Sequence, residues 1–162
     1  IGAHAVNDAI SIEELEKPLF IALTNLNTGK TEYKNTGPLL KTVIASSSIP
    51  VMFEPVEIDG QMYIDGGLLE NLPHTPLKDI CEKIIAVNLI PVKQTKNIRS
   101  MKKIISRVLD LTVNLTVDTV RSEADVFIEP PGLMPYGYLN NKSAKDVFTV
   151  GYEYTKELDI QL

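Results

Sequence analysis

The spacing of hydrophobic residues predicts alternating strands and helices from the first third of the chain onward. The run LFIALTNL (residues 19–26) is predicted to be a buried strand, and TEYKN (residues 31–35) a short partner strand after a turn. The segment GPLLKTVIASSSIP (residues 37–50) has helical spacing, with Pro38 at a first helical position and Pro50 ending the helix.

The stretch DGQMYIDGG contains two Asp-Gly pairs separated by alternating apolar residues. Asp59-Gly60 is typical of the two-residue turn of a hairpin, which we predict to run from Val56 to Ile64. Asp65 differs because it stands at the end of the second strand, before Gly66-Gly67 and a loop. An aspartate at a strand end, with backbone freedom behind it, is placed as functional side chains often are.

The second half of the chain continues the alternation. KIIAVNLI (residues 83–90) predicts a strand covered on both faces, and residues 100–120 a packed amphipathic helix. Residues 124–130 predict another strand, and residues 143–159 a closing helix. The order of elements predicts one α/β domain over residues 1–162, a three-layer α/β/α arrangement around a mostly parallel central sheet.

Composition narrows the classes of function. The net charge is −5 with scattered Lys and Arg residues, which argues against nucleic acid and against a polybasic contact with a membrane as primary partners. The single cysteine, Cys81, excludes an intramolecular disulfide and a cysteine-cluster zinc site. No apolar run approaches the roughly 20 residues that span a bilayer.

Few side chains are candidates for chemistry. Asp65 is a candidate base, but no G-x-S-x-G nucleophile motif occurs, and Ser46–Ser48 are explained more simply as a close-packing surface. His4 and His74 match no zinc spacing, and we expect His74 to be exposed in its loop. A calcium site on Asp59 and Asp65 is disfavoured because a hairpin would point them apart.

Several segments together resemble the patatin-like phospholipase family. The resemblance rests on PLFIALTNLNTGKTEY and on ASSSIPVMFEPVEIDGQMYIDGGLLENLP, which is similar to the family's A-S-x-x-x-P, x-F-x-P and D-G-G blocks with a following N-x-P. KIIAVNL and ADVFIEPPGL stand where the family has later strands. The resemblance covers about residues 17–158.

The resemblance implies a serine hydrolase of lipid or acyl-ester substrates that uses a Ser-Asp dyad, with Asp65 as the base. Gly66 and Gly67 would let the strand end bend so that the carboxylate faces the serine. The family's oxyanion loop and G-x-S-x-G motif precede the region seen here. The chain is therefore expected to be the C-terminal portion of a patatin-like domain and inactive alone.

The resemblance implies no cofactor and no metal. It is compatible with transient contact with a membrane surface and leaves the oligomeric state open. A cytoplasmic location is expected, with a periplasmic or membrane-peripheral one as alternatives. Two other interpretations remain: an inactive relative that serves as a lipid-binding or structural module, or an Asp65-Gly66-Gly67 sequence that is only a turn.

Overall fold

The computed structural model describes residues 10–89, 91, 94, 96–136 and 143–160. It divides into two compact units, Ile1–Pro76 and Leu77–Leu162. The prediction that residues 1–162 form a single domain stays a prediction. No helix in the described part of the chain has the length and apolar character needed to cross a membrane.

The first unit contains a four-stranded sheet made of two hairpins. Its strands are β1 (Ile21–Asn25), β2 (Lys30–Lys34), β3 (Val56–Ile58) and β4 (Gln61–Asp65), in the order β2-β1-β4-β3. Every pairing is antiparallel, and β1 and β4 join the hairpins at the centre. The predicted buried strand, its partner and the hairpin from Val56 to Ile64 are confirmed.

One helix covers this sheet. It is α1 (Leu39–Ser46), preceded by Pro38 as its N-cap, and it packs against β1, β3 and β4. The first half of the chain therefore builds its own core, because apolar residues of the sheet and α1 share one buried cluster. The cluster consists of Ile12, Ile21, Leu23, Ala45, Ile58 and Tyr63.

The described residues of the second unit form a parallel strand pair and three α-helices. Strands β5 (Ile85–Val87) and β6 (Val126–Ile128) pair in parallel. The connection between them contains α2 (Met101–Val113) and α3 (Val117–Glu123), and α4 (Ala144–Lys156) follows β6. A strand, a helical crossover and a parallel strand form the unit expected of α/β proteins.

The fold is a mixed α/β structure, as predicted, but the mostly parallel sheet is not confirmed. The larger sheet is antiparallel, and β5–β6 is the parallel pairing among the described strands. Two of its three pairings follow from short connections: β2 follows β1, and β4 follows β3, after only a few residues. A strand joined to its neighbour by such a turn must run antiparallel to it.

Two predictions for the second unit differ from the structure. The helix predicted over residues 100–120 is two helices, because Asn114 ends α2 and its carbonyl accepts the Val117 amide. None of the α2 residues is buried, so its apolar face is not packed. Strand β5 is not covered on both faces, since Ile85 and Val87 are exposed and Ala86 alone is buried.

Candidate active site

Three main-chain interactions fix Asp65 at the end of β4. Asp65 pairs with Leu23 in the β1–β4 register, and its amide donates to the carbonyl of Ser48 at 3.1 Å. The hydroxyl of Thr24 donates to the Asp65 carbonyl at 2.9 Å. Residues far apart in sequence therefore hold the main chain from which the carboxylate projects.

One of the two oxygens of the Asp65 carboxylate accepts a hydrogen bond. Oδ1 accepts the amide of Gly67 at 2.8 Å, as the cap of a short 3-10 turn over Gly66–Leu68. No donor in the described part of the chain reaches Oδ2. Burial raises the pKa of this carboxyl above its usual value, and the Gly67 amide opposes the shift. An oriented carboxylate with a free oxygen and a raised pKa is better suited to accept a proton than an ordinary surface aspartate.

The two glycines after Asp65 serve close approach and not backbone freedom. A Cβ added to Gly66 would lie 2.3 Å from the carbonyl oxygen of Ala22. A Cβ on Gly67 would lie 3.0 Å from Asp65 Oδ1 and 3.3 Å from Asn71 Oδ1. Neither glycine has a positive φ. The chain does turn after Asp65, over Gly66–Leu68, but glycine is needed because neighbouring atoms occupy the space of a side chain and not because of a positive φ.

Asp59 forms the turn of the hairpin, as the sequence predicts. It has a φ of 52°, and Gly60 has a φ of 73°. Two successive left-handed residues form the favoured turn between hairpin strands. Strand β4 separates this turn from Asp65, and no group of metal-ligating side chains occurs among the described residues.

Asp65 lines a cleft of about 260 Å³ in the first unit. One part of its lining is apolar and comes from β1 and the residue before it, Phe20, together with Pro73. The polar part includes Ser46, Glu70 and Asn71. The cleft can therefore receive a molecule with both an apolar portion and a polar group.

The serines near the end of α1 do not contact the carboxylate. The hydroxyl of Ser46 donates to the Ala22 carbonyl at 2.9 Å, and that of Ser48 to the Ile44 carbonyl at 2.8 Å. Ser46 shares the cleft with Asp65, but its proton is directed to the main chain of β1. These contacts agree with the packing role inferred from the sequence.

Sequence reasoning missed Glu70, a second carboxylate in the cleft. The Tyr33 hydroxyl, on β2, donates to Glu70 Oε2. Burial, followed by the hydrogen bond to Glu70, raises the pKa of Tyr33 to about 12. The Glu70 amide donates to the Gly66 carbonyl at 3.0 Å. Glu70 thus ties the loop after Asp65 to β2, a link between residues 37 positions apart that no local motif signals.

His74, the histidine in the described part of the chain, does not line the Asp65 cleft. His74 is buried, with 8% of its surface exposed, so the prediction of an exposed loop histidine is wrong. A short 3-10 turn over Thr75–Leu77 follows, and the prolines at 73 and 76 restrict the backbone on both sides of the histidine. His4 lies outside the described residues.

Known proteins are similar to the part of the chain that contains Asp65 and the cleft. The family model for patatin-like phospholipase matches residues 5–78, which include Asp65 and the cleft. This part of the chain therefore resembles the patatin-like phospholipase family. An uncharacterized NTE family protein of Mycobacterium tuberculosis is 37% identical over 81 residues, 49% of this chain.

Fungal proteins are similar over most of the chain. Lysophospholipase nte1 of Aspergillus terreus is 22% identical over 90% of this chain, and lysophospholipase NTE1 of Meyerozyma guilliermondii is 24% identical over 91%. The chain spans 22% of the mycobacterial relative and 11% or 12% of these two fungal proteins. The comparisons support a lipid hydrolase family and concern a small portion of each relative.

Proposed function

We propose that this chain supplies the general base of a lipid acyl hydrolase, and that the base is Asp65. The observation that supports the proposal most directly is the hydrogen bonding and burial of the Asp65 carboxylate. Oδ1 is held by the Gly67 amide, no described donor reaches Oδ2, and burial raises the pKa. The resemblance of the surrounding sequence to the D-G-G block of the patatin-like family supports the same role.

In the proposed reaction a serine hydroxyl attacks the ester carbonyl carbon while Asp65 Oδ2 accepts the hydroxyl proton. The protonated carboxyl then gives that proton to the leaving alcohol, and an acyl-serine remains. Water then attacks the acyl-serine while Asp65 accepts a proton from the water. The carboxyl returns this proton to the serine oxygen as the acid leaves. A raised pKa helps because an ordinary aspartate, with a pKa of about 3.9, holds a proton too weakly at neutral pH.

The serine and the oxyanion donors belong, in this proposal, to residues that precede Ile1 in a longer protein. None of the 162 residues lies in a G-x-S-x-G motif. Ser46 and Ser48 donate their protons to main-chain carbonyls instead of to Asp65. We therefore expect the chain alone to be inactive toward esters.

The proposed substrate is an acyl ester of a lipid. The apolar lining of the cleft, from Phe20, Ala22 and Pro73, can contact a hydrocarbon chain. The ester group would then lie beside Asp65, which lines the same cleft. The names of the fungal relatives, lysophospholipases, support the same class. Such a substrate requires a transient encounter with a lipid surface, and we propose a cytoplasmic location for the protein.

A three-layer α/β/α architecture is the fold we propose for the complete domain. The parallel β5–β6 pair with its helical crossover supports this arrangement. Both exposed residues of β5, Ile85 and Val87, are apolar, as in strands covered by helices. A structure of the longer protein tests whether further parallel strands extend this sheet.

The matched variants Asp65→Asn and Asp59→Asn test the dyad in the longer protein. Asparagine in place of Asp65 can still accept the Gly67 amide but cannot take the serine proton, so we expect a loss near the upper end of about 10²- to 10⁴-fold in kcat/KM. Asparagine in place of Asp59 tolerates the left-handed turn and should leave activity nearly unchanged. Retained activity in Asp65→Asn, or an equal loss in Asp59→Asn, contradicts the assignment.

An inactive relative is the second candidate, because the chain contains no nucleophile motif. Reading the gene upstream of Ile1 separates the two. An intact G-x-S-x-G serine that reacts with a fluorophosphonate probe supports the hydrolase. Its absence supports a lipid-binding or structural role. With the 162-residue chain, labelling of Ser46, Ser47 or Ser48 would contradict the proposed source of the nucleophile.

A further inference from the structure

Helix α2 presents an unpacked apolar face, which we call the α2 stripe. Its residues recur at helical spacing along one side. They are Met101, Ile104, Ile105, Val108 and Leu111, all exposed. Val108 exposes 55% of its surface and Met101 69%. Leu115, just beyond the helix, extends the stripe and exposes 75%.

Such a face is unusual for a helix on the surface of a compact unit. A surface helix normally turns its apolar stripe toward the core and its polar side toward water. In α2 no residue is buried, and the five partly covered residues all lie outside the stripe: Arg107, Leu109, Asp110, Thr112 and Val113. A continuous exposed apolar patch of this kind indicates an interaction site.

The charges around the stripe are opposite in sign to the net charge of the chain, so the expectation of scattered basic residues is wrong for this segment. Residues 96–113 carry five basic side chains and one acidic one, a formal charge of +4, whereas the whole chain carries −5. The basic residues are Lys96, Arg99, Lys102, Lys103 and Arg107. At 3.6 residues per turn, Lys102 and Arg107 fall at the two borders of the stripe. There their apolar stems can cover hydrocarbon while the charges reach outward.

We propose that α2 docks on an anionic lipid surface. The helix lies in the plane of the surface, with the α2 stripe among the acyl chains and the flanking basic groups at the headgroups. An amphipathic helix with a basic polar face has the character of an interfacial helix. Its 13 residues are too few to span a bilayer, for which about 20 are needed.

Charge complementarity favours a lipid surface over a second copy of this chain. Two copies joined stripe to stripe would bring two segments of formal charge +4 together, and like charges facing each other oppose association. Anionic headgroups above a hydrocarbon layer complement both the basic borders and the apolar stripe. The proposal goes beyond the proposed function, because α2 lies in the second unit and contributes no residue to the Asp65 cleft.

Co-sedimentation of the 162-residue chain with vesicles tests the proposal. One set of vesicles contains phosphatidylcholine alone, and the other contains phosphatidylcholine with phosphatidylglycerol. We expect binding to the phosphatidylglycerol vesicles and little to the others. Added sodium chloride should weaken binding, because screening shortens the reach of the basic groups to about 3 Å at about 1 M salt.

Two double variants separate the apolar and the electrostatic contributions. Ile104→Gln with Val108→Gln removes the middle of the stripe without opening a cavity, and should weaken binding at least about tenfold. Lys102→Gln with Lys103→Gln should weaken it by about fivefold for each charge. Glutamine is a good helix former, so far-ultraviolet circular dichroism should not change.

Matched controls lie in the first unit. Leu26→Gln replaces an apolar residue that exposes 48%, and Lys30→Gln with Lys41→Gln replaces two exposed lysines. These variants should bind like the original chain. Equal binding to both vesicle types, no binding, or unchanged binding of the α2 variants overturns the proposal. So does a dimer on size-exclusion chromatography that Ile104→Gln with Val108→Gln converts to monomer. None of these results depends on hydrolysis, so they leave the role of Asp65 to its own test.

Discussion

The carbonyl oxygen of Ala22 occupies the space in which a side chain on Gly66 would begin, 2.3 Å from the position of an added Cβ. The neighbouring carbonyl carbon would lie 2.5 Å away. Both atoms belong to the main chain of the central strand β1, so no rotation of a side chain relieves the contact. The candidate base ends β4 at a point where β1 and the turn after β4 are in close contact.

Gly66→Ala should therefore destabilise the chain. We expect a loss of roughly 1–3 kcal/mol in the free energy of unfolding, because β1 or the turn after β4 must move. Urea unfolding of the 162-residue chain measures it. Gly67→Ala is the matched variant: its Cβ would meet only the ends of the Asp65 and Asn71 side chains, which can shift, so its loss should be smaller. A larger loss of stability for Gly67→Ala than for Gly66→Ala would contradict this explanation.

The burial of Asp65 predicts a stability that depends on pH. Burial raises the pKa of this carboxyl in the folded chain, so the folded state binds the proton more tightly than the unfolded state does. The resulting stability is present below the unfolded-state pKa and is lost as pH rises through the folded-state pKa. The amide introduced by Asp65→Asn is neutral at every pH. This variant should thus match the original chain in acid and exceed its stability at neutral pH.

Urea midpoints measured in acid and at neutral pH test this prediction. A variant that is less stable than the original chain at neutral pH would show that the hydrogen bond from the Gly67 amide outweighs the cost of burial. A gain in stability combined with a loss of hydrolysis would mark Asp65 as a position where function and stability oppose each other.

Glu32 and Tyr63 predict the opposite pH dependence. The Tyr63 hydroxyl donates to Glu32 Oε2 at 2.8 Å and is the main cause of a lowered Glu32 pKa. A lowered folded-state pKa stabilises the fold above the unfolded-state pKa, and this stability is lost as pH falls through the folded-state pKa. Tyr63→Phe should cost about 0.5–1.5 kcal/mol at neutral pH and less in acid.

Thermal unfolding at several pH values checks this difference. Tyr152→Phe serves for comparison, because Tyr152 exposes 55% of its surface and its stacking on Phe148 does not need the hydroxyl. If Tyr63→Phe lost the same stability at every pH, the hydroxyl would act by packing and not through the Glu32 carboxylate.

Val51 should be a site at which a smaller residue stabilises the chain. It has a φ of 70°, which a β-branched residue adopts only with strain, and it exposes 80% of its surface. We expect Val51→Gly to raise the free energy of unfolding by up to about 1 kcal/mol, since relief of strain exceeds the added freedom of the unfolded chain. The neighbouring Met52→Gly, which relieves no positive φ, should lower it. Melting temperatures that shift in the same direction for both variants would contradict the strain.

The sequence predicts those features of the structure that depend on neighbouring residues, and it misses those that depend on contacts between distant residues. Asp59-Gly60 predicts its turn because the left-handed backbone is a property of those two residues themselves. The need for glycine at position 66 depends on Ala22, which only the paired strands bring near. The contact between Tyr33 and Glu70 likewise joins two elements that no motif connects. The exposed face of α2 was missed because its spacing is the same whether or not a partner covers it.

The pairing of β1 with β4 also has a consequence for the order of folding events. Each hairpin closes through a short turn, and hairpins form within about 1–10 μs. The contact between Thr24 and Asp65 joins residues 41 positions apart, so a much longer loop must close before it forms. We expect this long-range step to limit the folding rate of the first unit. The carboxylate of Asp65 would then reach its final position only in the slowest phase, after both hairpins already exist.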